Sequence, residues 1–388
     1  MTMKVYHQVG HNYKWNIDSY NDGCGEGLIL SPVNMESDKL LALPEATRRN
    51  SFLDPQMYLL GTERASIGSY PFFPGNIKAG FSTTDLATLN LKIAQLCTDY
   101  QVQSQMKYVV IPTRYLDATP SKYLEQMTSA FVIPFLDYKD QKDIDTPYLL
   151  TVVVKQSILT TIELRDELLN WMTGIQGIAG FYLIFDNDFH SKQIKDFDYL
   201  RNALFFIHVL KMNAFEVHIG YTNTEGLLLS AAMPDSVSIG AYENLRNFRI
   251  SRFEAPDGKR KQGPNPRLYS TKLLQWMEYT YIQSMEQMVP DYKEYFDDSK
   301  YRPLMFEQEF KWHFTKPELY KHYFEVFSKQ MGNLPDNQTE RIEDIKQQIQ
   351  AAIVRYREIK QHILLDDDSD DSHLPTWFNA LNAFHRSL

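Results

Sequence analysis

The chain has 388 residues, 43% hydrophobic, 23% charged and 13% aromatic, a balance that excludes a wholly disordered or low-complexity protein. Its 40 Lys and Arg against 49 Asp and Glu leave a net charge of −9, which excludes a uniformly basic nucleic-acid binder but not a local basic patch. Cys24 and Cys97 are too few for a disulfide scaffold or an all-cysteine zinc site, the N-terminus lacks an apolar signal segment, and no apolar run approaches a membrane span, so a cytoplasmic protein without a membrane partner is expected.

Seven short runs rich in β-branched or aromatic residues follow one another, at 27–31, 50–57, 107–111, 148–154, 181–185, 215–219 and 236–239. Several are continuously apolar, as strands buried on both faces are. An eighth is expected at 267–269 or inside 248–253. Helical spacing of apolar residues fills the intervals, over 84–100, 120–137, 161–173, 197–211, 224–232 and 270–288. This alternation predicts a (β/α)₈ TIM-type barrel over residues 25–290, preceded by an N-terminal segment, 1–24. An open doubly wound sheet is the alternative. Its first strand normally leads into a glycine-rich turn, whereas here the first run leads into Ser31-Pro32-Val33-Asn34.

Residues 291–388 read as a helical C-terminal extension. Within it, 337–365 carries a stripe of isoleucines, and the acidic run 366–371 should repel itself into a solvated linker. The last amphipathic stretch, 374–384, shows Trp377, Phe378 and Phe384 beyond that tether, a pattern suited to docking on a protein partner or to self-association.

Parallel α/β folds bind ligands at the carboxyl ends of their strands. Asp54, beside Phe52 and Leu53, is positioned to have a raised pKa and to act as acid, base or nucleophile; the bland alternative is an Asp-Pro turn. Lys155 ends an apolar strand and can anchor charge, or can simply pair with Asp186 on the next strand. Asp186 and Glu243 complete the catalytic candidates. The Asp186-Asn187-Asp188 run could hold a cation but is also a common turn, and no histidine shows metal-ligand spacing, so no metal and no cofactor are expected. Asn34, Gln56, Tyr58, Arg114, Gln156, Tyr221, Asn223, Tyr242 and Arg246 are the remaining strand-end groups suited to a polar substrate. Arg246, Arg249, Arg252, Lys259, Arg260, Lys261 and Arg267 crowd a Gly/Pro-containing loop, and such a loop attracts phosphate or a nucleic-acid backbone. No P-loop, GxSxG, CxxC or dinucleotide fingerprint occurs.

Three places resemble the tRNA-guanine transglycosylase-like barrels, including relatives in DNA-modification and phage-defence loci. Phe52-Leu53-Asp54 resembles the strand-two aspartate, 217–221 followed by Thr224-Glu225-Gly226-Leu227-Leu228 resembles the strand, glycine and short helix, and 235–246 resembles the segment bearing the nucleophile. The likeness spans about 240 residues. After Asp54 the chain reads Pro-Gln-Met-Tyr instead of Ser-Gly-Gly-Phe, no acid stands near Ser238 where the nucleophile is expected, so that Asp235 or Glu243 would substitute, and the family's zinc site is absent. The resemblance implies a barrel enzyme acting on a nucleotide, nucleoside or nucleic acid, as a transglycosylase-like transferase or a glycosidic-bond hydrolase. The alternative is a catalytically degenerate barrel serving as a binding subunit of a multiprotein, possibly phage-defence, assembly.

Overall fold

The computed structural model describes residues 3–62, 64–116, 122–189, 191–255 and 263–388. Eight parallel strands form one sheet in the order β3-β2-β1-β8-β7-β6-β5-β4. They are β1 Lys4–Gln8, β2 Gly27–Leu30, β3 Phe52–Leu53, β4 Val109–Ile111, β5 Tyr148–Lys155, β6 Gly180–Asp186, β7 Glu216–Gly220 and β8 Ser236–Gly240. The sheet curls into a nearly closed barrel. Its seam, between β3 and β4, is stitched below by Lys107 N–H donating to Ser51 C=O (2.9 Å) and above by Tyr115 N–H donating to Tyr58 C=O (2.9 Å). Helices lie between the strands, as βαβ chirality requires. Among the described residues, no helix is long and apolar enough to cross a membrane.

The first strand is β1, inside the stretch expected to be a separate N-terminal segment, so the barrel begins at residue 4 and not at 25. The eighth-strand expectation is corrected accordingly. Arg267–Ser270 pairs antiparallel with Gln275–Glu278 in a separate two-stranded hairpin, and Ile250–Phe253 is a 3₁₀ turn. That hairpin shortens the helix expected at 270–288 to Tyr279–Met288. The helix expected to start at 120 has its first two residues outside the described residues; beyond them it runs from Tyr123 to Lys142 through a π-turn at Thr128–Val132.

The barrel interior is filled. Tyr6, Phe52, Tyr182 and His218 pack a lower layer, with Phe52 5.3 Å from Tyr6, 5.5 Å from Tyr182 and 5.8 Å from His218 between ring centroids. Gly220 leaves room for one of these rings. A Cβ there would overlap the Tyr182 ring and hydroxyl. Gly220→Ala is therefore expected to cost about 1–3 kcal/mol of unfolding free energy, as overpacking does. Urea titration checks this, and a cost below about 0.5 kcal/mol would show that Tyr182 moves freely.

The C-terminal extension folds back onto the barrel. The second half of the acidic run is packed, while Asp366 and Asp367 stay exposed: Ser369 is fully buried, Lys360 pairs with Asp370 (3.6 Å) and Asp371, and Arg267 donates to the Asp368 carbonyl (2.7 Å). These cations neutralise the self-repulsion expected of the sequence. The last helix, Leu374–His385, buries Trp377, Leu381 and Phe384 against helices Phe197–Met212 and Gln338–Ile359, and Trp377 Nε1–H donates to Ile194 C=O (2.9 Å). Two of the three aromatic side chains suggested for docking, those of Trp377 and Phe384, are thus used at home, while Phe378 is half-buried.

Candidate functional site

Asp54 follows β3 at the carboxyl end of the barrel and is fully sealed from solvent, at 0% exposure. Its Oδ1 accepts from Tyr58 O–H (2.9 Å) and Gln56 N–H (3.1 Å), and its Oδ2 from Tyr58 O–H (3.0 Å) and Tyr221 O–H (3.2 Å). Gln56 Oε1 in turn accepts from Ser31 O–H (2.8 Å) and Val33 N–H (3.1 Å), and Asn34 Nδ2–H donates to Ser31 Oγ (2.8 Å). Gln56 (φ 54°) and Tyr221 (φ 56°) both occupy the left-handed region without being glycine. Each such conformation costs roughly 1–2 kcal/mol, which this bonded network holds in place. Burial pushes the Asp54 carboxyl up to about 6, against the opposing Tyr58, Gln56 and Tyr221 bonds and the Arg252 charge.

A roof closes this cluster. Phe248 and Phe253 lie 5.1 and 4.8 Å from the Tyr58 ring, and Phe248 lies 5.5 Å from Tyr221. Arg252 sits 5.5 Å from the Tyr221 ring, with Nη1 buried and unbonded among the described residues. Thr62 O–H tethers the Phe253 carbonyl (2.6 Å).

Lys155 and Asp186 face each other in the β5–β6 register. Tyr115 O–H donates to Asp186 (2.8 Å), and Lys155 donates to the Leu116 carbonyl while its ammonium lies 4.4 Å from the Tyr115 ring centroid. Burial raises the Asp186 pKa, resisted by Tyr115 and Lys155. Because Tyr115 also bonds Tyr58, Asp54, Lys155 and Asp186 share one mouth. The Asp186-Asn187-Asp188 stretch is a turn, in which Asn187 Oδ1 accepts from Phe189 N–H (3.2 Å) and Gln156 Oε1 from Asp188 N–H (3.3 Å). Among the described residues, no group of three or more His, Cys, Asp or Glu could hold a metal ion.

The open part of the mouth lies above β6, β7 and β8. A small chamber of about 40 Å³ is lined by Asn187, Tyr199, Tyr221, Asn223, Glu225 and Arg246, among others. It adjoins a cleft of about 350 Å³ bounded by Lys192, Glu243, Arg246, Asn247, Arg249 and Trp276, and an outer groove of about 370 Å³ that includes Tyr242, Arg267, Phe314 and Tyr320. Arg246 lines all three. It is 5% exposed, its guanidinium stacks 3.8 Å from the Trp276 ring centroid, and among the described residues its one hydrogen bond is a long one to the Ala241 carbonyl (3.5 Å). Among the described residues its Nε–H is buried without a partner, and no carboxylate lies within 4 Å of the guanidinium as an ion pair, although Glu243 and Glu225 act on its charge from farther away. Asn247 Oδ1, also on the wall, is a buried acceptor without a donor among the described residues.

The other cations differ. Arg249 donates to the carbonyls of Asn187 and Phe189 (2.7 Å for the latter) and forms no ion pair within 4 Å among the described residues. Lys192 pairs with Glu243 (2.6 Å). Arg267 is consumed by Glu278 (2.9 Å) and by the Asp368 and Trp276 carbonyls. Tyr242 accepts from Asn12 Nδ2–H (2.7 Å) at the outer groove. Arg114 lines a different, largely apolar cavity with Tyr123 and Met127, so it is not joined to this cleft. Lys259, Arg260 and Lys261 lie outside the described residues.

Glu225, Asn247, Lys192 and Trp276 were not among the candidates read from the sequence. Glu225 opens a short helix, Glu225–Leu229, where an acid is usual and carries no functional signal. It is buried because Arg246 and the helix Pro317–Gly332 close over it from far along the chain. Comparison with known proteins returns no match: no family model fits the chain, and no curated protein or solved structure is similar to it.

Proposed function

We propose that the protein is a barrel enzyme acting on a nucleotide, nucleoside or nucleic-acid substrate at the carboxyl-end mouth, by transglycosylase-like transfer or hydrolysis. The carrying observation is Arg246. A buried guanidinium that forms no ion pair within 4 Å among the described residues is costly, and an anion entering from the cleft relieves that cost. Arg249 extends the positive wall, Phe189 and Trp276 supply apolar surface for a base, and the Asn247 side-chain carbonyl, without a donor among the described residues, is suited to hydroxyl or amino groups. Burial pushes Glu225, in the inner chamber, up to about 7, so that it keeps a proton close to neutrality, the state a leaving base needs from an acid, whereas Asp54, at about 6, is sealed beneath Phe248 and Phe253.

The test is calorimetric titration with nucleoside 5′-monophosphates and a short single-stranded oligonucleotide. Arg246→Met keeps the packing stem and removes the charge. It is expected to weaken binding at least 30-fold, the size of about 2 kcal/mol for an unpaired buried charge, while leaving the ligand-free protein as stable or more stable. Equal affinity of variant and parent, or no binding by the parent, would remove this reading.

A further inference from the structure

Within the cleft, Glu225 stands in the inner chamber with Arg246, and its carboxyl is 7% exposed as a residue. Oε1 accepts from Asn223 N–H (2.9 Å), and no other side chain donates to the carboxyl among the described residues. Glu225 and Arg246 line one chamber, yet no ion pair joins them within 4 Å among the described residues. Two oppositely charged groups in one small chamber that do not pair leave space for a third group between or beside them.

We propose that this chamber is a proton-linked oxyanion site, in which Arg246 holds a phosphate monoester and Glu225 meets it as a neutral carboxylic acid donating a hydrogen bond. The inference rests on the placement of the anion at Arg246 argued above, and adds the proton. A charged Glu225 would repel the oxyanion, whereas the acid form supplies a donor. Groups facing Glu225 from every neighbouring element are accounted for: Arg246 after β8, Tyr199 on the helix Phe197–Met212, and Tyr323 on the helix Pro317–Gly332, both tyrosines being held well above their ordinary range by burial. Lys192, on the chamber rim, is already paired with Glu243. Burial pushes Glu225 up to about 7, so the linkage operates near neutrality. By reciprocity, the anion must raise the proton affinity of Glu225 by the same factor as the proton raises anion affinity.

Sulfate is the probe, because it stays doubly charged across the range. Binding to the intact chain is followed by calorimetry and by Trp fluorescence from pH 5.5 to 9. Sulfate affinity is expected to be flat below about pH 7 and to fall about tenfold per pH unit above it. At pH 8.5, enthalpies in buffers of different ionisation heat are expected to report uptake of about one proton per anion bound. Glu225→Gln is expected to bind sulfate at pH 8.5 as the parent does at pH 6, with the slope gone. A parent profile flat from pH 6 to 9, or a slope that survives in Glu225→Gln, would overturn the role of Glu225 while leaving the anion at Arg246. Failure of sulfate to bind the parent at any pH would overturn the Arg246 placement itself. At pH 6 a nucleoside 5′-monophosphate is expected to bind more tightly than sulfate; equal affinity would overturn the ester assignment in favour of a bare oxyanion.

Discussion

Replacing Trp377 by alanine is expected to lower the unfolding free energy by about 3–5 kcal/mol, the range for deleting a large buried aromatic side chain. The indole is fully buried, packs edge-on against His373 at 4.9 Å between centroids, and spends its N–H on the Ile194 carbonyl. That carbonyl lies just ahead of the helix Phe197–Met212, so the loss reaches the β6–β7 wall of the cleft. Chemical denaturation measures it. Light scattering of the full chain beside residues 1–364 gives the complementary result. Removal of 365–388 is expected to expose the apolar face that Trp377, Leu381 and Phe384 cover, and so to increase aggregation. An equally stable, monodisperse truncated chain would show that this helix is dispensable to the barrel and free to serve a partner.

The second large effect belongs to Asp54. Its folded-state pKa, about 6, stands above the value of 3.8 for an unperturbed aspartate. A raised value means that the contribution to stability is fully present below the unfolded pKa and is lost as pH rises through the folded one. About two pH units correspond to about 3 kcal/mol. Between roughly pH 4 and pH 6 the parent should therefore lose stability from this group. Asp54→Asn carries no proton to lose, while its amide still offers an oxygen to Tyr58 or Gln56. The variant is expected to be more stable than the parent above pH 6, by up to about 3 kcal/mol, and to lack the parent's decline across that window. Urea unfolding at pH 4, 5, 6 and 7 decides it; an unchanged slope would mean that Asp54 is already ionised at low pH. If Asp54 supplies a proton to the reaction, the same variant loses turnover with its fold intact. Unchanged turnover would confine Asp54 to holding Tyr58 and Tyr221 in place.

The roof over Asp54 gives this second experiment its meaning. The carboxyl was expected at an open strand end, and it does lie at the carboxyl end of β3. Phe248 and Phe253 nevertheless cover it, and the open cleft begins on the other side of Tyr221. The open cleft therefore lies toward β6–β8, lined by Tyr221, Asn223, Glu243, Arg246 and Arg249 among others.

Seven of the eight barrel strands are legible in the chain because a strand covered by helices on one side and by the barrel interior on the other must be apolar almost throughout. β1 escapes that reading. His7 and Gln8 face partners that exist only after folding: the Cys24 carbonyl, Asn16 and the Tyr182 hydroxyl. A local pattern cannot register such compensation. The same holds for the acidic run, whose charges find Lys360 and Arg267, and for the hairpin at 267–278, whose pairing cuts across a helical spacing of apolar residues.

Periodicity by itself determined the parallel barrel and the end of it at which polar residues would gather, since both depend on the burial needs of short segments. Which carboxylate is sealed, which buried arginine forms no ion pair among the described residues, and where the mouth stays open were decided by tertiary structure. Those properties depend on desolvation and pairing between groups far apart in the chain, such as Asn12 with Tyr242 or Arg246 with Trp276 and Tyr323.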